Sequence, residues 1–146
     1  MRLSNKSSAR LASVQHIYAM EIDQNFDQKK LQKDLLSYYK SQGDSDGIIM
    51  PHKELFSKLT SLVMAEKSTI DDIIIKYLTK DWTIDKLNLV LKSILRCGIA
   101  EMIYMKEVPT KVIINEYATI AGSFFDSKET GFVNSILDKI SLEFRE

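Results

Sequence analysis

The sequence predicts an all-α fold, and three observations carry that prediction. Apolar residues recur at three- and four-residue steps along most of the 146-residue chain, the period of one helical face. No stretch alternates apolar and polar residues in the period of two that marks a half-buried strand. Five glycines and two prolines leave little material for the turns of a β fold. The length fits a single compact domain, residues 1–146, with a core of its own. Six or seven helices with short links are expected.

The first twenty residues hold Arg2, Lys6 and Arg10 and no acid before Glu21. Four-residue steps put these cations on one stripe of a helix. Leu11, Val14 and Tyr18 form an apolar stripe beside them, with Ile17 adjacent. Cations at a helix N-terminus oppose the macrodipole, so the charges point to a role other than helix stability; a frayed, solvated tail is the competing reading. Leu31, Leu35 and Tyr38, with Leu36 and Tyr39, predict a second amphipathic helix. It ends at the Gly-, Ser- and Asp-rich stretch 41–47. Pro51 reopens a helix whose face is Leu55, Leu59, Leu62 and Val63.

Ser68 and Thr69, each three residues before an aspartate (Asp71 and Asp72), predict the cap of a short helix faced by Ile70, Ile73, Ile74 and Tyr77. The run from Trp82 to Met105 is the longest apolar-periodic segment. Leu87, Leu91, Ile94, Leu95 and Met102 repeat at helical spacing, while Val90, Ile99 and Ile103 widen the coverage. A helix apolar over most of its circumference belongs at the centre of a bundle. Val108–Lys139 then reads as two helices. Pro109 suits a first turn, and Ile113, Tyr117, Ile120 and Phe124 share one face. Asp126 with Glu129 offers a capping box for the helix carrying Phe132, Val133, Ile136, Leu137 and Ile140.

Formal net charge is zero, so any affinity for nucleic acid must come from a local patch. The single cysteine, Cys97, excludes an internal disulfide and a multi-cysteine zinc site, and its apolar setting predicts a buried, inert thiol. Neither a signal-peptide core nor a membrane-length apolar run is present, which predicts a cytoplasmic protein. His16 and His52 stand far apart without metal-ligand spacing and are expected to be surface or partly buried side chains. Asp71 and Asp72 are adjacent and point to different sides of a helix, which rules out a facing acid–base pair. With no phosphate loop and no nucleophile elbow, neither an enzyme nor a cofactor or metal is expected. Asn115, Glu116 and Asn134 are polar within apolar helical stretches and predict a polar brace between helices, with Arg96 as a partner.

Three segments carry a specific resemblance: ARLASVQHIYAMEIDQ (9–24), ILRCGIAEMIYMKEVPTKVIINEYATIA (94–121) and FVNSILDKI (132–140). In these the chain resembles the transcription antitermination factor NusB family. The resemblance implies an all-α fold of about seven helices in two subdomains. It also implies binding of single-stranded boxA RNA together with the ribosomal protein NusE, in support of RNA polymerase read-through in ribosomal RNA operons. Contact with the polymerase elongation complex would be indirect. Lys6 and Arg10 are candidates for phosphate contacts, and Tyr18 and Phe132 for base stacking. Lys128 completes the candidate RNA-binding set.

The chain departs from the family pattern in a thinned basic arm (NKSSAR, 5–10), in Phe125 and Ser135 where the family carries glycines, and in Glu129 where it carries serine. These departures predict an RNA binder that depends on its protein partner. A helical protein–protein interaction module with little RNA binding is the alternative. A similar module heads certain ribosomal RNA cytosine methyltransferases, which would require a catalytic domain after it. Some relatives self-associate, so a homodimer is one assembly the resemblance allows.

Overall fold

The computed structural model describes residues 4–23, 25, 27–42, 49–79 and 83–145. They form seven α-helices: α1 (Asn5–Ile22), α2 (Gln28–Gln42), α3 (Lys53–Ala65), α4 (Lys67–Tyr77), α5 (Leu89–Tyr104), α6 (Thr110–Phe124) and α7 (Ser127–Phe144). No strand occurs among the described residues.

Helix α5 is the axis of the molecule. Asn88 starts it by accepting the backbone N–H of Val90 at 2.8 Å and of Leu91 at 3.4 Å, which satisfies donors the helix cannot. From Ser93 to Met102 every residue is buried. Helices α1, α3, α4, α6 and α7 all pack against it. The long apolar run therefore becomes helix only from Leu89. Ile84–Lys86 form a single 3-10 turn, Leu87 is buried ahead of the helix, and Trp82 lies outside the described residues. At the far end Arg145 closes the helix. Its Nε donates to the Met102 carbonyl at 2.9 Å and its Nη2 to the Met105 carbonyl at 2.9 Å. A cation on the last carbonyls of a helix complements the negative end of its dipole.

The apolar side chains divide into a larger cluster, to which α1 and α3 to α7 contribute, and a smaller one. The smaller cluster joins Ala9 and Ala12 of α1, Tyr39 of α2, Leu55 and Phe56 of α3, and Met105. Small residues on α1 let it lie close against α3, and Ala9 and Ala12 leave no large apolar side chain to mark that face in the sequence. Two polar contacts tie α2 down: Tyr39 donates to Gln15 at 2.7 Å and Gln32 to Thr60 at 2.7 Å.

Several local expectations are corrected. Helix α4 begins at Lys67, because Glu66 alone separates it from α3 and serves as the C-cap of one and the N-cap of the other. Ser68 and Thr69 therefore sit exposed inside the first turn, and Asp71 is free to meet Arg96. Asp126 occupies the N-cap of α7 without a side-chain cap bond; Glu129 turns into a cleft beside α7 and does not reach back. Phe124 is 48% exposed, since it falls in the last turn of α6, beyond the surface that covers Ile113, Tyr117 and Ile120. In α2 it is Tyr39 that is buried, while Tyr38 is exposed. No helix among the described residues is long and apolar enough to cross a membrane.

Candidate nucleic-acid interface

The basic start of α1 is capped by Ser4, whose Oγ accepts the backbone N–H of Ser7 at 3.0 Å. Lys6 projects into solvent from the first turn. Arg10, one turn on, does not. It is 3% exposed, and its guanidinium lies against Glu101 of α5 (Nε–Oε2 2.8 Å, Nη2–Oε1 2.9 Å) and Glu116 of α6 (Nη1–Oε1 3.0 Å). Glu116 also accepts the Ser7 hydroxyl at 2.6 Å, and Tyr117 donates its hydroxyl to Glu101. Burial alone would weaken Arg10's hold on its proton. The bond to Glu101 and the surrounding carboxylates outweigh it, so its pKa lies above the ordinary value. Burial, with Glu101 beside it, pushes the Tyr117 phenol well up. The expected phosphate contact at Arg10 is thus corrected: its donors are committed to carboxylates inside the protein.

A second buried arginine performs the same task on the other side of α5. Arg96 binds Asp71 of α4 through Nε (2.8 Å) and Nη2 (2.9 Å), and Glu21 of α1 through Nη1 (2.6 Å). Lys67 lies 3.4 Å from the same Glu21. The expected brace is rearranged accordingly. Glu116 braces α6 to α1 through Arg10, Arg96 braces α5 to α1 and α4, and Asn115 and Asn134 are exposed. Glu101, Glu21 and Asp71 escaped the sequence reading as members of these networks. A signal existed for Glu101, the one carboxylate between Leu89 and Met105 of the apolar run.

Lys6 and Arg10 line a groove of about 470 Å³ between the start of α1, the start of α3 and the α5–α6 link. Lys58 adds a cation, and Glu54, Glu107 and Glu116 add three carboxylates, so the groove is electrostatically mixed. His52 forms part of its wall and caps α3 by accepting the Leu55 N–H on Nδ1 at 3.1 Å. His16 departs from expectation: it is fully buried, edge-on to Phe56 at 5.7 Å, and desolvation lowers its pKa to about 4. Cys97 is also fully buried, and its thiol pKa is pushed up by burial.

Lys128 and Phe132 line a different hollow, an apolar cleft of about 310 Å³ between α7 and the segment joining α4 to α5. Phe132 is half-buried with its ring against the main core, while Lys128 and Lys139 are exposed where they border the cleft. Tyr18 is half-buried on α1 and lines neither hollow. The structure thus gathers the candidates into two pairs, Lys6 with Arg10 and Lys128 with Phe132, and does not unite them. No cluster of metal-ligating side chains occurs among the described residues.

Known proteins share both the sequence and the fold. The transcription antitermination protein NusB of Rickettsia bellii is 38% identical over 145 residues, covering 97% of this chain and 93% of that protein. The protein of the same name from Caulobacter vibrioides is 32% identical over 153 residues, covering 99% and 97%. The solved structure of T. maritima NusB superposes with a TM-score of 0.80 at 25% identity, covering 100% of this chain and 96% of that one. A structure of the antitermination factors NusB and NusE in complex with double-stranded RNA shares the fold, at a TM-score of 0.79 and 24% identity over 96% of this chain and 98% of that one. The NusB family model matches residues 7–142, and with relatives this similar over nearly its whole length, the chain belongs to the NusB family.

Proposed function

We propose that this chain is a transcription antitermination factor. It binds boxA-type single-stranded RNA together with ribosomal protein NusE and promotes read-through in ribosomal RNA operons, reaching the polymerase elongation complex indirectly. The observation that carries this reading is the near-full-length match to proteins named for that activity. The fold neighbour solved with NusE and RNA motivates the choice of partners to test. The whole of 1–146 acts as one RNA-binding unit in the cytoplasm, and it works by binding, without catalysis or a cofactor. Lys6 supplies a phosphate contact at the start of α1, Lys128 a second, and Tyr18 and Phe132 present ring surface for unpaired bases. Arg10 serves as the anchor that fixes the first turns of α1 on α5 and α6, and so fixes where Lys6 stands.

One observation favours a second reading, a helical protein-interaction module: the groove beside Lys6 carries as many carboxylates as cations. A titration of boxA RNA and a scrambled control, with and without NusE and at two salt concentrations, separates the two. Preferential, salt-sensitive binding of boxA in the presence of NusE is expected. Binding of NusE with no preference for boxA over the scrambled RNA would leave the interaction-module reading standing.

A further inference from the structure

A groove of about 430 Å³ lies between α2 and α3, and neither candidate pair lines it. Lys29, Lys33 and Lys40 line it from α2 and Lys53 from the start of α3, and all four are exposed. Among the described residues, no carboxylate lines it. In a chain of zero net charge, that concentration is a local feature and not a reflection of composition.

The placement follows from helical geometry. Positions 29, 33 and 40 fall on one face of α2 at steps of four and seven. Asp34 falls off that face, Asp27 spends its carboxylate on the N–H groups of Lys29 (3.0 Å) and Lys30 (3.2 Å), and Glu54 lines the groove beside Lys6 instead. Asp44 and Asp46 lie outside the described residues. None of the four lysines is ion-paired among the described residues, whereas Lys58, Lys67 and Lys76 all are.

We infer that this groove is a binding track for the sugar–phosphate backbone of single-stranded RNA flanking the boxA element; the inference rests on the function proposed above. Two features select an extended polyanion over a compact one. The cations are strung out, with Lys29 and Lys40 about 16 Å apart along the helix axis at 1.5 Å per residue. The floor between the helices includes the half-buried Leu36 and Met50, an apolar surface on which unpaired bases can rest while the lysines meet phosphates. Gln32, the side-chain amide in the described lining, already donates to Thr60 at 2.7 Å, so the lysines dominate the track, which lengthens the footprint without altering its specificity.

The test uses the full chain with NusE, and compares the wild type with the K29Q/K33Q/K40Q/K53Q variant and its all-arginine counterpart. Each is titrated with boxA RNA alone, with boxA carrying a single-stranded extension on either side, and with oligo-uridylate. The wild type is expected to hold the extended RNA more tightly than boxA alone. The glutamine variant loses that gain, and its log-affinity against log-salt slope flattens by about 3, since each single-strand phosphate contact contributes about 0.7. The arginine variant retains the gain, and binding of boxA alone is the same in all three. Equal slopes for wild type and glutamine variant on extended RNA would overturn the inference. So would polyglutamate competing better than oligo-uridylate, which would assign the groove to an acidic protein segment. If the wild type fails to prefer boxA over a scrambled RNA, the proposed function falls, and the lysine dependence of oligo-uridylate binding still decides the groove.

Discussion

Arg10 and Glu101 meet inside the molecule as a two-pronged ion pair, at 2.8 and 2.9 Å, although 91 positions separate them in the chain. Neither side chain has appreciable contact with water. Removing one partner of such a pair leaves an uncompensated buried charge and costs about 3–5 kcal/mol. Arg10→Met is therefore expected to lower the unfolding free energy by that order in denaturant titrations. The double variant Arg10→Met/Glu101→Gln should recover part of the loss, because the paired charges leave together and the amide oxygen still accepts the Tyr117 hydroxyl. Losses that simply add would show that the two residues are not coupled.

Lys6 shares the stripe with Arg10 but not its burial. Lys6→Glu is expected to leave the melting temperature unchanged, as surface changes usually do. Affinity for boxA RNA with NusE should weaken, and the salt slope should flatten by about 0.7 for the lost phosphate contact. A slope equal to the wild type's would remove Lys6 from the RNA surface.

His16 gives stability a pH dependence whose sign can be worked out. Its folded pKa is about 4 against an ordinary 6.5, because desolvation disfavours the charged ring. Between those values the unfolded chain binds more protons, so stability rises with pH through the window. The contribution is fully present above pH 6.5 and is lost as pH falls to about 4. Roughly 3–4 kcal/mol is expected from the size of the shift at about 1.4 kcal/mol per unit. A comparison of wild type with His16→Gln across this range isolates the effect; parallel stability curves would refute it.

Gly98 marks where α5 meets α6 and α7. A Cβ there would stand 3.2 and 3.3 Å from the two Leu137 methyls and 3.3 Å from Tyr117 Cδ2. Tyr117 is fully buried and held by its hydroxyl on Glu101, so it has little room to yield. Gly98→Ala is expected to cost about 1–2 kcal/mol net, with the overpacking exceeding the gain in helix propensity. Gly131→Ala provides the contrast. Nothing lies within 4 Å of its Cβ, so the substitution should stabilise by roughly 0.5–1 kcal/mol. Calorimetry on the two variants should shift the melting temperature in opposite directions.

Much of this protein was legible in its residues. Helical periodicity located the apolar faces of α3 to α7, from Leu55, Leu59 and Val63 to Ile136, Leu137 and Ile140, because a face that must leave water imposes its period on the sequence. The family, too, was legible in the motifs around Arg10, Arg96, Val108 and Phe132. Only the tertiary structure decided what lies against each face. Lys6 and Arg10 look alike as cations four apart, yet one is solvated and the other sealed beneath Glu101 and Glu116. Lys29, Lys33 and Lys40 line a groove only because α3 sets Lys53 across from them. A periodic pattern records on which side of a helix a residue lies. Whether that side meets a carboxylate, a groove or water depends on segments many positions away, brought there by packing around α5.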